Sequence, residues 1–308
     1  MVLPALVSGI TPETAHAADS PWKVRASVVS GHDNNATLDP TREGDFFFQE
    51  SASVDYRRLI NKRLQARLGY DAFNVNYMDV TDQNALFQRG GAGLDTVLIP
   101  KKTVLETDYT YSFVYFPRND SVTFDEHEVR AGLRHRFTDA VLLRNAYSLS
   151  HQAFDSRKLR GADAVLSGDD REDTRHAIEH EVGFKLIERT YWKLLHQRTW
   201  SDSNDLFHDY YDYVADKYQV SVAFTVIPKV QSFLKLSYER RDYDNRPLLN
   251  DDTTVETDDI YTASLACFYK IRKDVSLGAI YTYRQKESNE PTQRYSGSLS
   301  TLGLYYSF

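Results

Sequence analysis

The chain has 308 residues, 41% of them hydrophobic by type and 13% aromatic, with a formal net charge of −7. The negative balance argues against nucleic acid as a partner, and the one cysteine, Cys267, leaves no intrachain disulfide. A mean hydropathy of −0.53, without an apolar run of about 18 residues, excludes helical membrane spans, whereas a β-barrel stays open because half of every strand faces a polar lumen.

Residues 1–20 read as processing material. Val2 to Ile10 is short and mostly apolar, and Ala15-His16-Ala17 is a small-x-small site before Ala18. The segment is expected to be a signal-peptide remnant or a disordered tail, leaving 21–308 as one domain.

From there, alternating runs are separated by six short turns: Ile60-Asn61-Lys62-Arg63, Ile99-Pro100-Lys101-Lys102, Phe137-Thr138-Asp139-Ala140, Ile187-Glu188-Arg189-Thr190, Ile227-Pro228-Lys229-Val230 and Ile271-Arg272-Lys273-Asp274. Their intervals of 39, 38, 50, 40 and 44 residues, with 37 more to the end, each fit a strand, a longer loop and a returning strand. Six turns on one side, with both termini there, imply an all-β fold of 14 strands: a transmembrane antiparallel up-and-down β-barrel. The strands are expected near 22–31, 45–58, 63–76, 85–98, 103–116, 124–137, 140–153, 173–186, 191–200, 213–226, 230–242, 257–270, 275–286 and 294–308.

Period-two alternation assigns the faces. Leu105, Thr107, Tyr109, Tyr111, Phe113 and Tyr115 oppose Glu106, Asp108, Thr110 and Ser112. The run at 85–98 carries Gly90, Gly91 and Gly93, a sign of a bend or a close approach. In 191–200 the alternation leaves open whether Trp192, Leu194 and His196 or Lys193, Leu195 and Gln197 face out. Phe46, Phe48, Tyr77, Tyr115, Phe116, Tyr281, Tyr283 and Tyr295 fall near strand ends, where an interfacial girdle of aromatics is expected.

The opposite face is charged. Arg57, Arg67, Arg130, Arg134, Arg144 and Arg284 are expected to line a lumen, with Lys217 and Lys235. Asp108, Glu128, Glu179 and Glu181 join them. Such a wall either selects solutes by charge or forms cross-strand ion pairs that prop and partly fill the barrel. Arg130, Arg134 and Arg136 on one strand favour anions. Fourteen strands lie between the filled eight-stranded barrels and the open porins of about 16–18 strands, so a narrow or loop-constricted pore is expected.

The loops at 201–212 and 243–256 are acidic but lack the spacing of a calcium-binding hand. Folding 124–153 about its turn brings His127 near His151, which reads as a boundary pair rather than a metal site. No Gly-x-Ser-x-Gly, His-Glu-x-x-His or phosphate loop is present. No catalytic residue, cofactor or metal is therefore assigned, and the chain is expected not to be an enzyme.

Two stretches carry resemblances. The last strand alternates Leu302, Leu304, Tyr306 and Phe308 with Thr301, Gly303, Tyr305 and Ser307 and resembles the terminal-Phe signal of bacterial outer-membrane β-barrels. That resemblance implies the outer membrane as location, its lipid as surroundings, and recognition of the C-terminal strand by the barrel-assembly machinery. Gly31-His32-Asp33-Asn34-Asn35 resembles a Gly-aromatic-Asp-x-Asn element, with His32 in the aromatic place. It occurs in porins of the second β-barrel type found with exopolysaccharide operons and in the barrel of surface-lipoprotein assembly modifiers. The modifiers carry a helical-repeat periplasmic domain before their barrel, a segment without a counterpart here, so a stand-alone porin-like channel for small polar solutes is expected. The alternatives are an export component for polysaccharide or lipoprotein with a periplasmic partner, and a plugged structural or adhesin barrel.

Overall fold

The structure, a computed structural model, describes residues 20–160, 166–205, 207 and 209–308. The signal-peptide-like segment, through residue 19, lies outside the described residues. The strands are β1 (Trp22–Asp33), β2 (Asp45–Asn61), β3 (Leu64–Tyr77), β4 (Ala85–Ile99), β5 (Thr103–Tyr115), β6 (Phe124–Arg136) and β7 (Val141–Arg160), followed by β8 (Leu166–Phe184), β9 (Thr190–Ser203), β10 (Tyr213–Ile227), β11 (Val230–Leu248), β12 (Asp251–Lys270), β13 (Val275–Ser288) and β14 (Tyr295–Ser307). Each pairs antiparallel with its sequence neighbours, and β1 pairs with β14. The result is a closed barrel of 14 strands, as the turn spacing implies. Closure leaves no open sheet edge, the condition for a sheet in hydrocarbon.

Burial settles the faces. Leu302, Leu304, Tyr306 and Phe308 are 57%, 54%, 41% and 65% exposed, while Thr301 and Tyr305 between them are 8% and 7% exposed. The last strand thus turns its apolar row outward. The same holds around the barrel, where Val28, Leu68, Tyr109, Val129 and Leu236 are exposed on the outer wall. Along β9, Leu194 is exposed and Lys193 reaches Glu181 at 2.7 Å inside. Trp192, Leu194 and His196 therefore face out, and Lys193, Leu195 and Gln197 face in.

Three girdle assignments are corrected. Phe46, Phe48, Tyr115, Tyr281 and Tyr283 are exposed on the outer wall, but Tyr77, Phe116 and Tyr295 are not. Tyr77 lies on the inward row of β3, against Phe47. Phe116 continues the inward row of β5 and is fully buried with Ala85 and Val114. Tyr295 pairs with Lys286 on an inward row. Proximity to a strand end marks an aromatic's height, not its face.

The barrel also rises further than expected at its loop end. Strands run on into the ranges 154–172 and 243–256, so β7 and β12 reach 20 residues and β8 and β11 reach 19. Their buried positions are largely charged, among them Arg171 and Glu256, so no apolar alternation marks them. Lys158–Asp170 at 2.8 Å ties β7 to β8.

Candidate conduit through the barrel

The twelve charged residues named above lie on inward rows, and eight of them are ion-paired there. Arg67 sits between Asp95 and Asp108, at 2.9 Å from each. Gly93 makes room for it: a Cβ there would run into the Asp108 carboxylate and lie 3.1 Å from the Arg67 guanidinium. The glycine signal of β4 is thus a close approach. Glu106 bridges Arg134 at 2.9 Å and Arg144 at 2.8 Å. Arg130 meets Glu179 at 2.5 Å. Arg284 donates to both oxygens of Asp33 at 2.7 Å.

Asp55, Asp71 and Glu239, also expected inside, are paired as well: Arg25–Asp55 at 2.6 Å and Arg89–Asp71 at 2.9 Å across strands, and Arg241–Glu239 at 2.8 Å along β11. Alternation tells which face a charge occupies. It does not tell which rung lies opposite, because that depends on the exact register of both neighbours.

Among the described residues, four of the twelve have no ion-pair partner: Arg57, Lys217, Lys235 and Glu128. Arg57 lies on β2 and Glu128 on β6, away from the two lysines on β10 and β11. Lys217 and Lys235 lie on adjacent strands, two inward positions apart: Lys217 is opposite Glu239 and Lys235 opposite Ser221. Lys235 borders a cavity of about 1080 Å³ at the turn end, lined also by Gln219, Gln231, Ser221, Tyr191 and Glu179.

No protein-family model and no curated protein sequence matches the chain. Solved structures do match its fold. The outer-membrane channel DcaP of Acinetobacter baumannii aligns with a TM-score of 0.53 and 11% identity, over 93% of this chain and 96% of that one. A loop-deletion form of OmpT, an outer-membrane protein of Vibrio cholerae, gives 0.52 and 11% over 94% and 100%. A mutant of TodX, a monoaromatic hydrocarbon channel, gives 0.51 and 10% over 94% and 90%. The chain has the fold of an outer-membrane β-barrel.

In outer-membrane barrels the short turns face the periplasm and the longer loops face outside. At the extracellular end of this outer-membrane barrel, described residues between β9 and β10 pack against its inward rows. Asp205 and Asp212 among them are 3% and 9% exposed. Asp212 accepts the Ser203 N–H at 2.8 Å, and burial pushes its carboxyl up to about 6. The Arg171 guanidinium lies 3.6 Å from the centroid of the Tyr211 ring, and the Arg246 guanidinium lies 5.2 Å from that of Tyr210. The segment thus grips the inward rows of β8 and β11 through cation–π contacts. The alternating pattern carries no trace of this anchor, because the two tyrosines lie outside any strand.

The other acidic segment is also committed to local bonds. Asp251 accepts from Thr253 and Thr254, and those bonds hold its carboxyl down at about 2. Glu256 is held by Arg246 at 3.0 Å. Among the described residues no three His, Cys, Asp or Glu side chains are grouped to hold a metal ion. His127 and His151 do pair across strands, but on the outer wall, each bonded elsewhere: to the Tyr109 hydroxyl at 2.7 Å and the Thr174 hydroxyl at 3.4 Å.

Proposed function

We propose that this outer-membrane barrel is a channel for small polar solutes, with a preference for anions. The observation that carries the reading is the pair Lys217 and Lys235, free cations on a wall whose other charges mostly neutralise one another. Arg130 and Arg134, which the sequence alone singles out, contribute less field because Glu179 and Glu106 bind them. A free ammonium beside an open cavity attracts an anion without first giving up a partner. The terminal residues Leu302, Leu304, Tyr306 and Phe308 fit recognition by the barrel-assembly machinery. The Gly31–Asn35 element fits kinship with the porins of the second β-barrel type.

A second reading has its own support. The dense ion-pair ladder and the inward segment at the mouth suit a plugged barrel that serves as a surface anchor. Planar-bilayer recording separates the two. The channel reading expects steady openings and an anion-selective reversal potential. Lys217→Glu with Lys235→Glu is expected to move that potential toward cations by more than Arg130→Gln does. Silent bilayers, or a potential unmoved by the lysine pair, defeat it.

A further inference from the structure

The outer wall carries a polar cluster inside its apolar band. Asn145 on β7 pairs with His180 on β8, which pairs with His196 on β9. All three face outward. Phe184 and Val182 separate His180 from the periplasmic turn, and Ile178 lies beyond it. Trp192 and Leu194 stand below His196, with Arg198 and then Trp200 above. Around Asn145 and His180 the neighbouring outward residues, Leu143, Tyr147, Val182 and Ile178, suit hydrocarbon, where no water satisfies a polar atom. A hydroxyl at such depth can turn to a strand carbonyl, as Thr107 does to Leu94. An imidazole or an amide has too many polar atoms for that.

The bonds within the cluster fix which atoms are left over. His180 Nδ1 lies 2.7 Å from Asn145 Oδ1. The amide oxygen accepts, so Nδ1 carries the proton and Nε2 is a bare acceptor. His196 Nε2 lies 3.1 Å from the Asp216 carboxylate and donates to it. Arg198 joins Asp216 at 3.7 Å. Asn145 keeps both amide N–H donors, with no acceptor among the described residues. The cluster therefore presents donors on one strand and an acceptor on the next.

We propose that this cluster is the centre of a two-fold interface between two copies of the chain. Two barrels inserted in the same sense are related by an axis along the membrane normal, which preserves the depth of every residue. An axis between Asn145 and His180 sets the amide donors of one copy against His180 Nε2 of the other, and the reverse. One symmetry operation satisfies both sets of leftover atoms, the isologous pattern in which residue i meets j and j meets i. Exposed Tyr147, Ile178, Val182 and Leu194 supply an apolar surround. The opposite wall around Val28 and Leu302 is exposed and apolar and offers no such pairing. The interface stands whether or not the lumen conducts.

Cross-linking in lipid tests it. In a Cys267→Ser background, Ile178→Cys lies one outward position beyond His180, and Val28→Cys lies across the barrel. After oxidation in phosphatidylethanolamine–phosphatidylglycerol vesicles, Ile178→Cys is expected to give a covalent dimer and Val28→Cys none. Adding Asn145→Leu and His180→Leu is expected to lower the dimer yield at least tenfold while the folded barrel keeps its gel mobility shift on heating. No dimer from Ile178→Cys, equal dimer from both positions, or an unchanged yield without the polar pair overturns the proposal. If the leucine variant does not fold, native mass spectrometry of the unaltered chain decides: dimers support the interface, and monomers or trimers alone overturn it.

Discussion

Asp33 is fully buried and holds the barrel's seam. Its carboxylate accepts Arg284 through both oxygens and receives the backbone N–H of Asn35 at 3.1 Å. Asn34 Oδ1 accepts the N–H of Ser298 at 2.6 Å, and Asn35 donates to the carbonyl of Ser296 at 3.1 Å. Gly31 is required beside them, because a Cβ there would come within 2.5 Å of the Phe47 ring and 2.7 Å of the Ser300 carbonyl. His32 points outward and meets Phe46 edge-on at 4.7 Å, so the imidazole fills the place of an aromatic. The short element at 31–35 therefore stitches the first strand to the last. Asp33→Ala leaves the buried Arg284 guanidinium without its partner, a loss of about 3–5 kcal/mol. Asp33→Leu with Arg284→Met removes both charges and is expected to cost less than Asp33→Ala alone. Urea-unfolding midpoints in phospholipid vesicles check the order, and additive losses would show that the pair is not the latch.

At the scale of a strand, β9 shows what alternation resolves and what it leaves open. Trp192, Leu194 and His196 are as mixed in polarity as Lys193, Leu195 and Gln197, so the sequence alone cannot choose. The choice comes from β8, whose Glu181 draws Lys193 inward. Leu194→Arg then places a guanidinium in hydrocarbon, at about 2–4 kcal/mol. Leu195→Arg faces the lumen beside Glu181 and is expected to change stability by less than about 1 kcal/mol. Equal losses in vesicle unfolding would reverse the facing. Elsewhere the strands were legible because two solvents, lipid and water, act on opposite rows. Where both rows are polar, as at Asp155, Ser156 and Arg157, the pattern vanishes although the strand continues. The lumen was legible to the same depth: alternation finds Arg130 and Lys235 on the inner face, but only the register pairs the first with Glu179 and leaves the second free.

For the whole molecule, the arrangement of tryptophans gives a direct reading of the barrel in its bilayer. All three lie on outward rows. Trp22, 53% exposed, opens β1 against Tyr56, with ring centroids 4.5 Å apart. Trp192 stands near the periplasmic turn beside Phe184, and Trp200, 37% exposed, lies two outward positions beyond His196 on the extracellular side. Indole prefers the boundary between headgroups and acyl chains, where its ring meets apolar groups and its N–H meets polar ones. Trp192 and Trp200 therefore bracket the apolar band from below and above, and none of the three opens to the lumen. Each residue left as the sole tryptophan by Trp→Phe changes at the other two is expected to be quenched by lipids brominated on their acyl chains. Bromines near the headgroups should act more strongly than bromines near the chain ends, and iodide in the aqueous phase should act weakly. Strong iodide quenching with no lipid effect is the signature of a water-soluble sheet protein. That outcome would remove the membrane from the account, and with it both the channel and the two-fold interface.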